Sequence, residues 1–226
     1  MKTILISRIN NSDMAKIETG PFTTLSEGMG SKLSSLSEGK KSAYIQSVVD
    51  AAGGRPRSTE WYREKIKEFG TPKSQQLIRD GKKQARPFYG LLNMFFYAPK
   101  HAKKLPYYDT FPLVLPIEKY SDGFLGINMH YLPIPLRIKL LDQLVDYSNN
   151  TKFDVTTKLI VTYKKLNKGL TGKLMKPTIH RYLAGYTKSQ FRRIDADEFT
   201  VATLLPVARF KKATTSEVWK ESRSMI

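Results

Sequence analysis

Apolar positions first fall into a helical rhythm at residues 43–52, where AYIQSVVDAA reads as a short helix ended by Gly53-Gly54. From Ser58 the rhythm sharpens. Trp61, Tyr62, Ile66 and Phe69 recur at helical spacing, Ser58 or Thr59 is placed to cap the start, and Gly70 stands just past the end. Outward Arg63, Lys65 and Lys67 are interleaved with Glu60, Glu64 and Glu68, which describes a solvated mixed face rather than a dedicated anion site. A second helix is predicted over Lys73 to Lys83. The period then changes: FPLVLPIEKY and FLGINMHYL are apolar or alternating runs joined by Ser121-Asp122-Gly123, the signature of a β-hairpin. Pro112 and Pro116 have no N–H for a ladder and favour edge or strand-end positions.

The next segment, PIPLRIKLLDQLVDYSNN, gathers Leu136, Ile138, Leu140, Leu141, Leu144 and Val145 into one buried stripe of an amphipathic helix, stopped by Asn149-Asn150. Thr157 to Tyr163 is β-like, and YKKLNKGLTGKLMK reads as a lysine-rich connector. PTIHRYLAGYTKSQF reads as a helix with Pro177 in its first turn. Asp195-Ala196-Asp197-Glu198 before FTVATLL fits an Asp N-cap with acids in the first turn, and TTSEVWKESRSMI a short helix pinned by Trp219. The sum is an α+β fold: one compact domain over residues 58–226, with a central antiparallel hairpin packed by helices. A flexible Ser/Gly-rich arm over residues 1–57 precedes it, with LSEG at Leu25–Gly28 and again at Leu36–Gly39.

Charge alters this picture more than length does. The 226 residues carry 38 Lys and Arg against 20 Asp and Glu, a net +18. By segment the net is +1 over residues 1–54, +8 over 55–110, −1 over 111–150 and +10 over 151–226. Two basic blocks flank a neutral centre, which predicts either two basic faces or one face built from both blocks. So large an excess repels itself in the compact state and is tolerated where an anionic partner screens it: nucleic acid, an acidic protein surface or a membrane. The apolar run of MKTILIS is broken by Arg8, shorter than the ~7–15 residues of a signal-peptide core, and no segment approaches the ~20 apolar residues of a span. No membrane association is therefore expected. The absence of cysteine excludes disulfides, thiolate zinc sites and cysteine nucleophiles.

Candidate chemistry is sparse. His101, His130 and His180 stand far apart, outside any metal-ligand spacing, and read as structural. Asp195, Asp197 and Glu198 resemble the carboxylates of a metal-dependent nuclease, but helix capping accounts for them without a metal. Asp80-Gly81-Lys82 matches the Asp-x-Lys of restriction-like nucleases without the Pro-Asp that should precede it. The Gly169–Lys173 stretch is too short for a phosphate loop and lacks its Ser or Thr. No enzyme, cofactor or metal site is expected. The candidate contacts to nucleic acid or an acidic partner are Lys164, Lys165, Lys168, Lys173 and Lys176 on the connector, with Arg181, Arg192 and Arg193 beyond it. Lysines on a glycine-containing connector can follow a phosphate backbone without reading sequence. Lys188 lies in the same stretch, and Tyr163, Tyr182 and Tyr186 nearby fit either stacking on a single strand or the core.

Four segments occur in order: LPYYDTFPLVLPIE (Leu105–Glu118), GFLGINMHYLPIPLRIKLLDQL (Gly123–Leu144), KPTIHRYL (Lys176–Leu183) and DEFTVATLLPVARF (Asp197–Phe210), with VWKESRSMI after them. Together they resemble a family of virion structural proteins of T-even-like contractile-tailed bacteriophages, over roughly residues 61–226. The resemblance implies a DNA end protector or head-completion protein that holds packaged double-stranded DNA without sequence specificity. Its alternative is a minor neck, tail or baseplate protein whose basic faces meet acidic neighbouring subunits. Either way it implies a virion component assembled in the host cytoplasm, with other virion proteins as partners and several copies in a symmetric assembly. It supplies no catalytic residues.

Overall fold

The computed structural model describes residues 44–53, 55, 57–148 and 169–226. The helices are α1 (Tyr44–Ala51), α2 (Thr59–Phe69), α3 (Ser74–Arg79), α4 (Ile134–Ser148), α5 (Gly169–Met175), α6 (Phe199–Leu204) and α7 (Thr215–Ser224). The strands are β1 (Lys83–Gln84), β2 (Leu92–Met94), β3 (Tyr108–Asp109), β4 (Leu113–Tyr120), β5 (Gly123–Asn128), β6 (Ile179–Leu183), β7 (Phe191–Ile194) and β8 (Phe210–Lys211). Six of them form one antiparallel sheet in the order β1-β7-β2-β4-β5-β6, and β3 pairs with β8 in a separate ribbon. This is the α+β architecture expected, with the β4–β5 hairpin at its centre.

Side-chain alternation gives the sheet two apolar faces. Leu92, Met94, Leu113, Leu115, Ile127 and Ile194 join the helical core made by Ile45, Val48, Leu140, Leu141, Val201 and Leu204. Phe95, Val114, Phe124, Tyr182 and Phe191 form a second, aromatic cluster. Its rings meet edge-on or offset, Phe95 and Phe191 at 4.7 Å and Phe124 and Tyr182 at 5.2 Å between centroids. Two glycines permit the close approach of the strands. A Cβ on Gly123 would collide with the Tyr182 carbonyl of β6, and one on Gly126 with the Val114 side chain of β4.

The helix ends follow their local chemistry. Ser58 Oγ accepts from the Trp61 amide at 3.2 Å and Gly70 closes α2 at φ 76°. Thr214 and Glu217 form a capping box on α7, and Trp219 of that helix donates from Nε1 to the His130 carbonyl at 2.9 Å. The stretch assigned to the arm contains α1, whose Ile45 and Val48 are fully buried, so the core begins before Ser58. The earlier part of the arm with its LSEG copies, the Thr157–Tyr163 strand and the Asn149-Asn150 stop lie outside the described residues.

Several sequence expectations are corrected. Residues 177–191 are not a helix: Pro177 sits in a 3-10 turn, followed by strand β6, a second 3-10 turn and β7. Tertiary pairing decides here, because β6 pairs antiparallel with Gly123–Ile127 of β5 and buries Tyr182 in the aromatic cluster. The connector holds α5, fixed by burial of Leu174 and Met175. The predicted 73–83 helix stops at Arg79 and Lys83 opens β1. Asp195 does not cap α6; instead the Glu198 carboxylate turns back to accept from the Asp195 amide at 2.9 Å. Pro116 lies within β4, at a bulge beside Glu118; β2 pairs only with Leu113 and Val114, so this part of β4 is a local edge where a missing N–H is tolerated.

His180 packs its ring 3.9 Å from that of Tyr131, and its Nε2 donates to the Pro177 carbonyl at 3.1 Å. Burial pushes its pKa down to about 4, against the upward pull of that hydrogen bond and of Asp109. The imidazole is neutral in the fold but protonates near pH 6.5 in the unfolded chain, so its contribution is fully present above that pH. It is lost as the pH falls toward 4, by at most about 2 kcal/mol at pH 5, since an edge of the ring reaches solvent. Urea midpoints at pH 7.5 and pH 5 should differ less in a His180→Gln variant than in the parent chain; an unchanged difference would remove His180 as the source.

Candidate nucleic-acid interface

The two basic blocks meet along two seams. At the first, β1 pairs with β7, setting Lys83 opposite Arg192 and Gln84 opposite Phe191. Among the described residues acids answer four of the cations there, though not Lys83. Arg79 pairs with Asp80, Lys82 with Asp195 at 3.4 Å, Arg193 with Asp195, and Arg192 with Glu198 at 3.3 Å. Arg193 holds the Asp195 carboxyl below its usual range by hydrogen bonding, while burial pushes Glu198 up. The residues of both nuclease-like motifs therefore come together, but with Asp80, Asp195 and Glu198 each against a cation and Asp197 exposed. Among the described residues no group of three or more His, Asp or Glu is arranged to hold a metal ion.

At the second seam β3 pairs with β8, placing Tyr108 opposite Lys211 and Asp109 opposite Phe210. The turn before β3, residues 99–105, closes on backbone bonds from Ala102 to Pro99 and from Lys104 and Leu105 to His101. Lys212 ties the two together: its Nζ donates to the carbonyls of Lys103 and Leu105, both at 2.8 Å. Among the described residues it is the one non-glycine with positive φ, 70°, a left-handed conformation that costs an L-residue about 1–2 kcal/mol. Lys100, Lys103, Lys104, Arg209, Lys211 and Lys212 are all exposed, and none is in an ion pair among the described residues.

The acids along this ribbon are engaged elsewhere. Glu217 accepts from the Thr214 amide and hydroxyl, Glu221 is hydrogen-bonded to Tyr107, and Asp109 points inward. Asp109 is the hub that sets the ribbon. Its Oδ1 accepts from the Phe111 amide at 2.9 Å and the Arg209 amide at 3.4 Å; its Oδ2 accepts from His130 Nδ1 at 2.8 Å and Asn128 Nδ2 at 3.1 Å. Burial keeps the His130 pKa below its ordinary value although Asp109 pulls the other way, so the ring is a structural, neutral donor.

The sequence-predicted contacts are scattered by the fold. Lys164, Lys165, Lys168 and Tyr163 lie outside the described residues. Lys173 and Lys176 are exposed at the end of α5 and in the 3-10 turn after it. Arg181 is held by Asp122 of the hairpin turn and stacks over Tyr120 at 3.9 Å. Arg193 lies over Phe88 as well as against Asp195. Arg192 is corrected: at 1% exposure, with its guanidinium toward Glu198, it offers no surface to a ligand. Tyr182 is a core residue, and Tyr186 packs against the aromatic cluster. The second seam was missed. Its only sequence signal is two short basic clusters, HAKK at 101–104 and RFKK at 209–212, which nothing in the primary structure connects.

A family model described as phage T4 terminal DNA protecting protein matches residues 12–222, a span that takes in both seams. No curated protein and no solved structure gives a match.

Proposed function

This chain belongs to the phage T4 terminal DNA protecting protein family, and from that premise we propose that it occludes the ends of packaged double-stranded DNA as a component of the phage particle. Occlusion needs close contact with the phosphate backbone and no chemistry on it, so the reading assigns the chain no catalytic centre. The observation that carries it, beside membership, is the net charge of +18, with the exposed cations of the second seam in no ion pair among the described residues. Phosphates are the natural screen for such an excess, and backbone contacts hold a duplex in place without reading its sequence. Several copies meeting other virion proteins at the head would complete the assembly.

The test is exonuclease digestion of blunt linear duplex with and without the purified chain, alongside a binding titration from about 50 to 200 mM salt. Protection of the linear DNA is expected, with affinity falling by ~10³ or more across that range for several phosphate contacts. Digestion at an unchanged rate would sink the end-protection reading and redirect the search to acidic partners in the neck, tail or baseplate.

A further inference from the structure

We infer that the 99–105 turn and the β3–β8 ribbon form one preassembled cationic grip for the phosphodiester backbone of duplex DNA. In this grip Lys100, Lys103, Lys104, Arg209 and Lys211 make the contacts and Lys212 positions them. The inference rests on the DNA reading above and says where on the molecule the DNA sits.

Three observations converge on this surface. The first is electrostatic: cations of the first seam and one beside the hairpin turn are answered by acids, while Lys173 and Lys176, like the second seam, are in no ion pair among the described residues. Arg192, Arg193 and Lys82 face Glu198 and Asp195, and Arg181 faces Asp122. On the second seam five exposed contact cations lie together while Glu217, Glu221 and Asp109 are committed to other groups. Exposed like charges without an ion-pair partner among the described residues raise a positive potential that an external anion relieves.

The second is mechanical. A grip works best when it is ordered before the ligand arrives, because ordering long cationic side chains and their backbone on binding subtracts from affinity. Here the backbone is ordered by the Asp109 hub from below and by Lys212 from the side. Lys212 adopts an uncommon left-handed conformation and uses its ammonium to bind the Lys103 and Leu105 carbonyls. A lysine next to Lys211 whose hydrogen bonds hold the carbonyls on either side of Lys104 acts on the spacing of the charges rather than only on their number.

The third concerns what the surface lacks. Tyr107 and Phe210 are half-buried against each other and Tyr131, and Tyr108 of β3 is half-buried as well, so none of the ribbon's rings stands fully exposed to stack on a base. Four of the five contact cations are lysines, whose ammoniums are point charges suited to phosphate and lack the planar fork of a guanidinium. The grip is therefore indifferent to sequence, as protection of any terminus requires.

The experiment uses the full chain and short blunt duplexes of two unrelated sequences. Lys103→Glu/Lys104→Glu/Lys211→Glu is compared with Lys173→Glu/Lys176→Glu and with Lys164→Glu/Lys165→Glu/Lys168→Glu. Each lost phosphate contact removes about 0.9 from the slope of log K against log salt, so the grip variant should lose about 3 from the slope. At 100 mM salt it should bind ~10²-fold or more weakly, equally on both sequences, with unchanged thermal stability. Should the glutamate triple fail to fold, Lys103→Gln/Lys104→Gln/Lys211→Gln carries the same expectation. Lys212→Ala is expected to weaken binding by more than one lost contact would, because the turn loses its tie. Parental binding by the grip variant, with the loss in either comparison variant instead, would overturn the inference and leave end protection standing. No duplex binding by the parent chain would remove both.

Discussion

Replacing Arg137 with methionine is expected to destabilise the chain by about 3–5 kcal/mol, the range for removing one member of a buried charge system. Arg137 is fully buried. Its Nε donates to the Leu132 carbonyl at 2.6 Å, Nη1 to Thr203 and Leu205 at 3.4 and 3.5 Å, and Nη2 to His130 at 3.4 Å. The guanidinium also lies 5.3 Å from the centre of the Trp219 ring. One side chain on α4 thus gathers the carbonyls of the 3-10 turn at Met129–Tyr131, of the residue after it and of the end of α6, while meeting α7 through Trp219. Burial lowers its pKa to about 10, which leaves it charged at neutral pH, with Asp109 as the countercharge that resists the shift.

Methionine supplies comparable bulk but no donor. Four buried carbonyls lose a partner and the Asp109 carboxylate loses a buried cation that it interacts with. For a domain of this size each kcal/mol shifts Tm by about 2–4 °C, so a fall of roughly 10 °C is expected in a thermal melt, with a matching drop in urea midpoint. Arg137→Lys should retain part of the loss, because a compact ammonium with three donors cannot span carbonyls presented around a planar fork. A methionine variant within about 1 kcal/mol of the parent would mean that water or rearranged backbone satisfies those carbonyls, and the network would not be what joins α4 to α6.

How much of this was legible in the sequence depends on element length. The hairpin around Asp122-Gly123, with strands of eight and six residues, and helix α2, with eleven, show a period and carry their own stop signals, and both stand where the pattern put them. Strands β1, β3 and β8 have two residues each, too few to show a period, and they exist only because a distant partner bonds to them. That is why the sheet order, with β7 inserted between β1 and β2, could not be read along the chain. In residues 177–191 the apolar spacing fits a helix as well as a strand, and the open side of β5 decided between them.

The charge of the candidate site was legible as a quantity but not as a surface. Arg192 and Arg193 are adjacent in sequence, yet pleating buries the first, with its side chain lying where a Cβ on Gly81 would stand, and leaves the second partly exposed. Which lysines lack an acid is a property of the β1–β7 and β3–β8 pairings, each joining residues roughly a hundred positions apart. Net charge by block foresaw one face drawn from both blocks as one of two outcomes; only the pairing showed where such a face forms.

Asp109→Asn changes one atom and should nonetheless cost about 3–5 kcal/mol, because every neighbour of this carboxylate is a donor. Two donors face each oxygen: the Phe111 and Arg209 amides on Oδ1, His130 Nδ1 and Asn128 Nδ2 on Oδ2. Whichever way the new amide is flipped, its NH2 meets two N–H groups, and a buried donor left without an acceptor costs about 1–3 kcal/mol. Loss of the carboxylate also strips Arg137 of its countercharge, so the two substitutions should be less than additive in a double-mutant cycle. The Arg209 amide belongs to the ribbon that carries the exposed lysines. Hydrogen exchange should accordingly show the Phe111 and Arg209 amides losing protection in the variant ahead of the β4–β5 hairpin, and duplex binding should weaken although no surface charge has changed. Were stability to drop with the Arg209 amide and DNA affinity both untouched, Asp109 would be a core residue with no hold on the cationic face.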